Sequence, residues 1–460
     1  MKKHGSVPPG AVARYSLLGV TVLGTIANNI INVPLHAIAI DFDRSIATTV
    51  LSVSAFVLVL AVIMPVTGWV GDRWGQRRTL VVALILMVIG QLAAAMAPTL
   101  EFLIAARAVQ GLACSAIPPM VMSMLVTFYP TQRLRMMGAW AAANGIGQAL
   151  GPSVGGLISD LAGWRSIFVM MAVASLVVLV GILWTVPSLP GRNSRLHFSG
   201  ALMLVNGVAL LLVALTVLSL PYVPVWVSVL AAVLGVALLA GFVLVSRNNP
   251  DAMIPPHLII ESRFLRSCLA AFAQMFMLGT MLVVMPLYFT GPLALSSSQA
   301  GMLFFLLPLA MVLMAPMVSR LSDRSSPRLV LRIGMLVIIV GGLLTGVVAE
   351  VWARQDALWV ISGMLLVMGA GITMVQTSAA AGATRSPAGA RGAALGLFNM
   401  LRFSGTAAGT AWVALAYPLG SMLFVFVGAA VVAALGLMMS FVGPDPASVG
   451  TSPAFVDSGS

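Results

Sequence analysis

The sequence predicts an all-α polytopic membrane protein of fourteen transmembrane helices, and three observations carry that expectation. Hydrophobic residues make up 60% of the 460-residue chain and charged residues 8%, with a mean hydropathy of +1.06, outside the range of soluble domains. Apolar runs close to the ~20 residues needed to cross a ~30 Å hydrocarbon core recur along the whole length, separated by short polar turns. Nineteen of the 24 Lys and Arg residues fall in alternate turns, as the positive-inside rule expects of cytoplasmic loops. The net charge of +12 therefore reads as membrane orientation and not as nucleic-acid binding, with both termini in the cytoplasm.

The first apolar run, 15–40, is too long for a signal-peptide core and lacks a small-residue cleavage site, so it reads as a retained span. It carries Asn28, Asn29, Asn32 and His36. The steps from Asn28 to Asn32 and from Asn32 to His36 are i,i+4, which would line these three along one helical stripe. Amides are costly against lipid, so the stripe should face a central cavity. Spans at 48–70 and 78–97 flank the turn Gly68-Trp69-Val70-Gly71-Asp72-Arg73-Trp74-Gly75-Gln76-Arg77-Arg78, where Asp72 is placed to cap a helix N-terminus.

The span at 101–126 holds Arg107, with Gln110 at i+3 and Gly111 beside it. About seven residues, or ~10 Å, from the outer end, that charge costs at least ~2.5–3.5 kcal/mol on insertion scales. It must face a cavity or tie its helix to the carbonyls of a neighbour. The span at 136–159 contains Gly147, Gly151, Pro152, Gly155 and Gly156, a stripe that lets a helix kink and another approach closely. Further spans read at 165–186, 199–219, 224–246, 265–290, 298–318, 329–349, 357–380, 390–416 and 420–442. Gln274, Gln376, Asn399 and Arg402 add polar groups at cavity level. Arg402 lies about 12 residues, or ~18 Å, into its span. Cys114 and Cys268 fall in apolar runs as buried thiols without metal-ligand spacing, and neither a metal nor a cofactor is expected.

The halves echo each other. A shift of 251 residues places Pro65, Gly68, Asp72, Arg73 and Arg77 on Pro316, Ser319, Asp323, Arg324 and Arg328, the mark of a transporter built by duplication. The expected organisation is a cytoplasmic N-terminus (1–14), a six-helix bundle (15–186), an inserted two-helix linker region (187–264), a second six-helix bundle (265–442) and a disordered cytoplasmic tail (443–460). On the Gly68–Arg78 turn, the Arg107-x-x-Gln110-Gly111 pattern, the Gly151-Pro152-x-x-Gly155-Gly156 pattern and the six-plus-two-plus-six layout, the chain resembles the fourteen-helix drug:proton antiporter branch of the major facilitator superfamily.

The resemblance implies the major facilitator fold and a secondary active transporter exporting amphiphilic small molecules by alternating access, coupled to protons. It also implies a multi-pass monomer in the cytoplasmic (inner) membrane. The gating loop would comprise Gly68, Asp72, Arg73, Gly75, Arg77 and Arg78, with Asp323, Arg324 and Arg328 as its degraded copy. Asp72 would latch onto a helix N-terminus near Ala390, and the glycine–proline pattern marks exporters. The chain departs from these relatives in lacking an acidic residue in the first span, where Ala27 stands, and in carrying His36 in place of a proline.

All twelve acidic residues map to loops or span ends, and His36 is the one side chain inside a span with a near-neutral reference pKa. Proton-coupled, passive and anion-linked transport thus all stay open. Arg107 and Arg402 would make the cavity electropositive and favour anionic or neutral substrates, which keeps an uptake permease or facilitator for organic anions, such as aromatic acids, as the alternative. No nucleophile elbow, nucleotide-binding loop or His-rich cluster supports an enzyme.

Overall fold

The computed structural model describes residues 10–191, 197–218, 223–247, 249, 251–352 and 354–443. Most of the expected N-terminal segment and the tail, the loop arginines Arg192 and Arg195, and the side chains of Asp323 and Arg354 lie outside the described residues. Among the described residues, twelve helical segments are long and apolar enough to cross a membrane. Two more helices are of spanning length, 30 and 25 residues, but carry the glycines and polar residues that give the interior its character.

The first half consists of α1 (Ala11–Asn29), α2 (Leu51–Trp74), α3 (Gln76–Ala95), α4 (Leu100–Ser115, resuming as Ile117–Phe128), α5 (Arg133–Ala162) and α6 (Trp164–Thr185). A helix pair follows, α7 (Phe198–Leu218) and α8 (Val225–Ser246). The second half holds α9 (Ser262–Thr290), α10 (Leu306–Arg324), α11 (Pro327–Val351), α12 (Arg354–Arg385), α13 (Gly392–Ala416) and α14 (Met422–Met439).

The pairings repeat between the halves. In the first, α1 packs on α5, α2 on α4 and α3 on α6; in the second, α9 packs on α13, α10 on α12 and α11 on α14. Even the helix-end chemistry repeats. Arg77, opening α3, donates to the Leu183 carbonyl at the end of α6 at 2.5 Å, and its 251-residue counterpart Arg328 donates to the Ser440 carbonyl just past α14 at 2.7 Å. A cation satisfying the exposed carbonyls of a helix C-terminus is favourable in both places. Between halves the seams are reciprocal, α2 against α13 and α5 against α10, while α7 lies across α2 and α13.

The first span is not a single helix, contrary to the 15–40 expectation. It leaves α-helix at Asn29, makes a 3₁₀ turn over Ile30–Asn32 and restarts as a short helix, Leu35–Asp41. Pro34 explains the break, because it lacks an N–H and disfavours helix in the residue before it. The restarted segment is strapped to the first half by Arg165, which donates to Asp41 at 2.5 Å and to the Ala97 carbonyl at 3.2 Å.

α5 continues as one helix through Pro152, and its glycines meet α1. A Cβ on Gly147 would fall against the Thr25 side chain, on Gly151 against Asn29, and on Gly155 against the Ile30 carbonyl. The close approach expected of this stripe is therefore present. Gly155→Leu should separate α1 from α5 and lower the thermal midpoint of the detergent-purified protein, overpacking against backbone costing about 1–3 kcal/mol or more. Gly156→Ala, facing only the Val33 side chain at 3.2 Å, should be tolerated; equal loss in both would refute the α1 contact as the cause.

Candidate functional site

Two structures at different depths hold the chemistry, a seam at one end of the bundle and a cavity above it. The seam begins with glycine. A Cβ on Gly68 would strike the Gly392 carbonyl and one on Gly396 the Met64 carbonyl, so α2 and α13 touch backbone to backbone. This proximity carries Asp72 to the first turn of α13. Its carboxylate accepts from the Gly392 N–H at 2.7–2.8 Å and from the Ala393 N–H at 3.3 Å. These are the unsatisfied donors at the positive end of a helix dipole, two residues beyond the expected position. Gly75, which turns α2 into α3, has φ +98, a conformation that favours glycine.

The loop leading into α13 is held as well. Ser386 Oγ donates to Glu261 at 2.6 Å, Arg391 to the Ala252 carbonyl at 3.3 Å, and Arg133 of α5 to the Thr384 carbonyl at 3.4 Å. Burial raises the Glu261 carboxyl, but the Ser386 hydroxyl and the N–H groups of Arg263 and Phe264 outweigh it and hold it below its ordinary value. The second motif copy differs in its helix geometry. Ser319 meets Gly138 much as Gly68 meets Gly392, but Gly138 is five residues inside α5, where backbone N–H groups are already spent within the helix.

The cavity is lined by Thr21, Thr25, Asn28 and Asn29 of α1, Trp140, Asn144 and Gln148 of α5, Met275, Leu278 and Leu282 of α9, and Arg402 and Phe403 of α13, among others. The space between them comes to about 620 Å³ when the open solvent at its mouth is included. On α1, α5 and α9 alike, the lining residues pass from buried to part-exposed with distance from the seam: Thr21 to Asn28, Trp140 to Gln148, Met275 to Leu282. The cavity therefore opens away from the Asp72 end, which is shut.

At its floor Arg402, 2% exposed, donates to Asn399 at 3.3 Å and to Asn144 at 3.4 Å. Its guanidinium stacks 4.9 Å from the Trp140 ring and 5.1 Å from the Phe403 ring. No Asp or Glu lines this cavity among the described residues.

Arg107 is elsewhere. It is fully buried inside the first half, donating to the Ala27 carbonyl at 3.1 Å and to Gln110 at 2.7 Å, with its guanidinium 4.1 Å from the Phe56 ring. Gln110 in turn donates to the Gly90 carbonyl at 2.7 Å, while Gly111 presses on the Phe56 backbone. Of the two roles open from sequence, the tie to a neighbouring helix is the one present, at the very position, Ala27, where an acid was missed.

Two other expectations fail. The break at Pro34 ends the i,i+4 stripe, leaving Asn32 and His36 exposed beyond the cavity. Gln274 and Gln376 are buried and do not line it. Of the gating-loop arginines, Arg73, Arg78 and Arg324 are exposed. Conversely, sequence reasoning missed Trp140, Asn144 and Gln148. Their i, i+4, i+8 spacing on an apolar span was a readable sign of one polar face.

The family profile described as Major Facilitator Superfamily matches residues 17–249 and 267–457. An uncharacterised MFS-type transporter, Rv1250, from Mycobacterium tuberculosis is 28% identical over 80% of this chain and 63% of its own length. MdtD of Escherichia fergusonii, provisionally named a multidrug resistance protein, is 28% identical over 66% of this chain and 64% of its own. The chain thus spans less than two thirds of the length of these relatives. The crystal structure of the human organic anion transporter MFSD10 (TETRAN) shares the fold with a TM-score of 0.69 and 18% identity, covering 94% of this chain and 100% of that one.

The Asp72 contact exists only while the ends of α2 and α13 are together. A carboxylate at a helix N-terminus contributes about 0.3–2 kcal/mol. Asp72→Asn should therefore leave membrane insertion and thermal midpoint nearly intact while slowing transport in reconstituted vesicles. Unchanged rates at equal protein content would reduce the contact to loop packing.

Proposed function

Since this chain belongs to the major facilitator superfamily and is a multi-pass membrane transport protein, not an enzyme, we propose that it exports amphiphilic small molecules by alternating access. The export draws on the proton motive force across the cytoplasmic membrane. The carrying observation is the cavity, with one fully buried guanidinium, amides, aromatic faces and apolar side chains, and no lining carboxylate among the described residues. Such a site favours amphiphiles that are anionic or neutral, because a cation would meet Arg402 at low dielectric.

The basic turns support a cytoplasmic position for the Asp72 end and both termini. On that orientation the structure is shut inside and open outside. Asp72 acts as the gate's latch, and Gly147, Gly151 and Gly155 seal α5 to α1. The name of MdtD is consistent with export, whereas the human anion transporter is too remote in sequence to lend more than its fold.

The rival reading, an uptake permease for organic anions, draws on the same arginine. An inside-negative membrane potential opposes it by about 2.3 kcal/mol per charge per 100 mV. Uptake would need a co-transported cation, and the cavity offers no carboxylate to hold one. Outward movement of an anion is driven by that potential directly, so export fits the charge inventory without a proton-binding side chain in the cavity.

In proteoliposomes with equal pH on both sides, an imposed potential should drive an aromatic carboxylate toward the positive compartment. Arg402→Ala should cost more of that flux than of a neutral compound of similar size. Stronger transport of ethidium than of the carboxylate by the unmutated protein would return the chain to cationic drug efflux.

A further inference from the structure

Asn144 is the group around which the floor of the cavity is arranged. Its Nδ2 donates to the Trp140 carbonyl at 2.9 Å, which turns Oδ1 toward the second half. That oxygen accepts from Thr25 Oγ1 of α1 at 3.3 Å and from Arg402 Nη2 of α13 at 3.4 Å. Arg402 has Asn399 Oδ1 as its other acceptor, at 3.3 Å, and its Nε has no partner. The indole Nε1 of Trp140, on the ring against which the guanidinium stacks, has none either.

A full positive charge, removed from water, is therefore met by two neutral amide oxygens and two aromatic faces. Both oxygens lie beyond the 2.7–2.9 Å usual for a cation bonded to an anionic oxygen. Burying a charge this way is unfavourable unless something completes the compensation.

We infer that Asn144 is a specificity-determining residue whose side-chain oxygen holds Arg402 as a neutral stand-in for the substrate's anionic group and yields its place when that group arrives. The inference rests on the anion-favouring reading of the cavity above. A carboxylate or sulfonate reaching Arg402 bonds to Nη2 in place of Asn144 Oδ1, close to two donors that are buried and unused in this state, Arg402 Nε and Trp140 Nε1. Its apolar or aromatic body is met by Leu278, Leu282 and Phe403. The class implied is a monoanionic amphiphile with a planar or apolar body.

Neutrality at position 144 is essential to the scheme. An acid there would cancel Arg402 permanently. Asn144 belongs to the first half and Arg402 to the second, so the exchange also removes a hydrogen bond between halves at the depth where substrate binds. Arrival of the anion thereby removes one polar tie between the halves at the cavity floor and links occupancy to the change of state.

The test uses the full chain in proteoliposomes with three probes, 2-naphthoate and 2-naphthamide of matched size and ethidium as a larger cation. The unmutated protein should favour 2-naphthoate. Asn144→Asp, nearly isosteric, should cut 2-naphthoate flux at least about tenfold, because a carboxylate within ~4 Å of the guanidinium outcompetes an incoming anion. It should also raise ethidium flux, a gain that a packing role for Asn144 does not produce and that shows the variant folds. An unchanged preference in Asn144→Asp overturns the inference and leaves the anion-favouring reading standing. No preference in the unmutated protein overturns both.

Should the Asp variant not fold, Asn144→Ala decides by equilibrium binding in detergent. With the stand-in removed, 2-naphthoate should bind several-fold more tightly, and weaker or equal binding overturns the inference.

Discussion

Two backbones in contact, with no side chain between them, are the constraint on which this molecule turns. Gly68 and Gly392 meet at one end of the α2–α13 seam and Gly396 meets Met64 a turn deeper. Only at that distance can a side chain as short as aspartate span from one half to the other and reach N–H groups. The shut end, the location of the cavity above it and the direction in which the cavity opens all follow from this approach. Lipid offers no hydrophobic drive for helices to associate, so small residues that allow close packing decide where the halves touch.

The charges obey a second rule, that helix ends supply the partners. Asp72 takes amide hydrogens at the start of α13, Arg77 and Arg328 take carbonyls at the ends of α6 and α14, and Arg107 takes a carbonyl in the last turn of α1. Where the bilayer provides no water, the unspent backbone groups of helix termini are the available ligands for ions. Arg402 is the instructive departure. It lies mid-helix, away from any terminus, and its neighbours are amide oxygens and aromatic faces. On the proposed anion-carrying function, a ligand's charge would complete this weak company.

Length and apolarity made the spanning helices legible, and the 251-residue repeat made the two halves legible, because both are one-dimensional patterns. The Asp72 motif pointed to the first turn of α13 within two residues. Failures came where three-dimensional direction mattered. Asn28, Asn32 and His36 keep helical spacing in the sequence, but Pro34 interrupts the geometry that would have aligned them. Arg107 stands seven residues into α4, as its sequence position implied, yet position along a helix says nothing about azimuth, and its side chain points into its own bundle. Gln274 failed for the same reason. Asn144 went unremarked because an amide among alanines reads as a packing detail until the arginine facing it is known to come from the other half.

Among the described residues the carboxylate-to-helix-start contact is present at the α2–α13 seam, whereas at the α5–α10 seam Gly138 lies inside α5 where the equivalent of Gly392 would have offered a helix start. On the proposed alternating-access function, the two end states of the transport cycle would be unequal in free energy before any substrate is present. With the Asp72 end in the cytoplasm, as proposed, a molecule coming from inside would meet a carrier that spends most of its time facing away. Its apparent affinity would be lowered by the fraction facing inward, and a latch contribution of about 1 kcal/mol would make that factor roughly fivefold. The same inequality would protect the cell, because an empty carrier resting closed to the cytoplasm is a poor route for leakage. Low affinity from within and a tight resting seal would then be one property expressed twice.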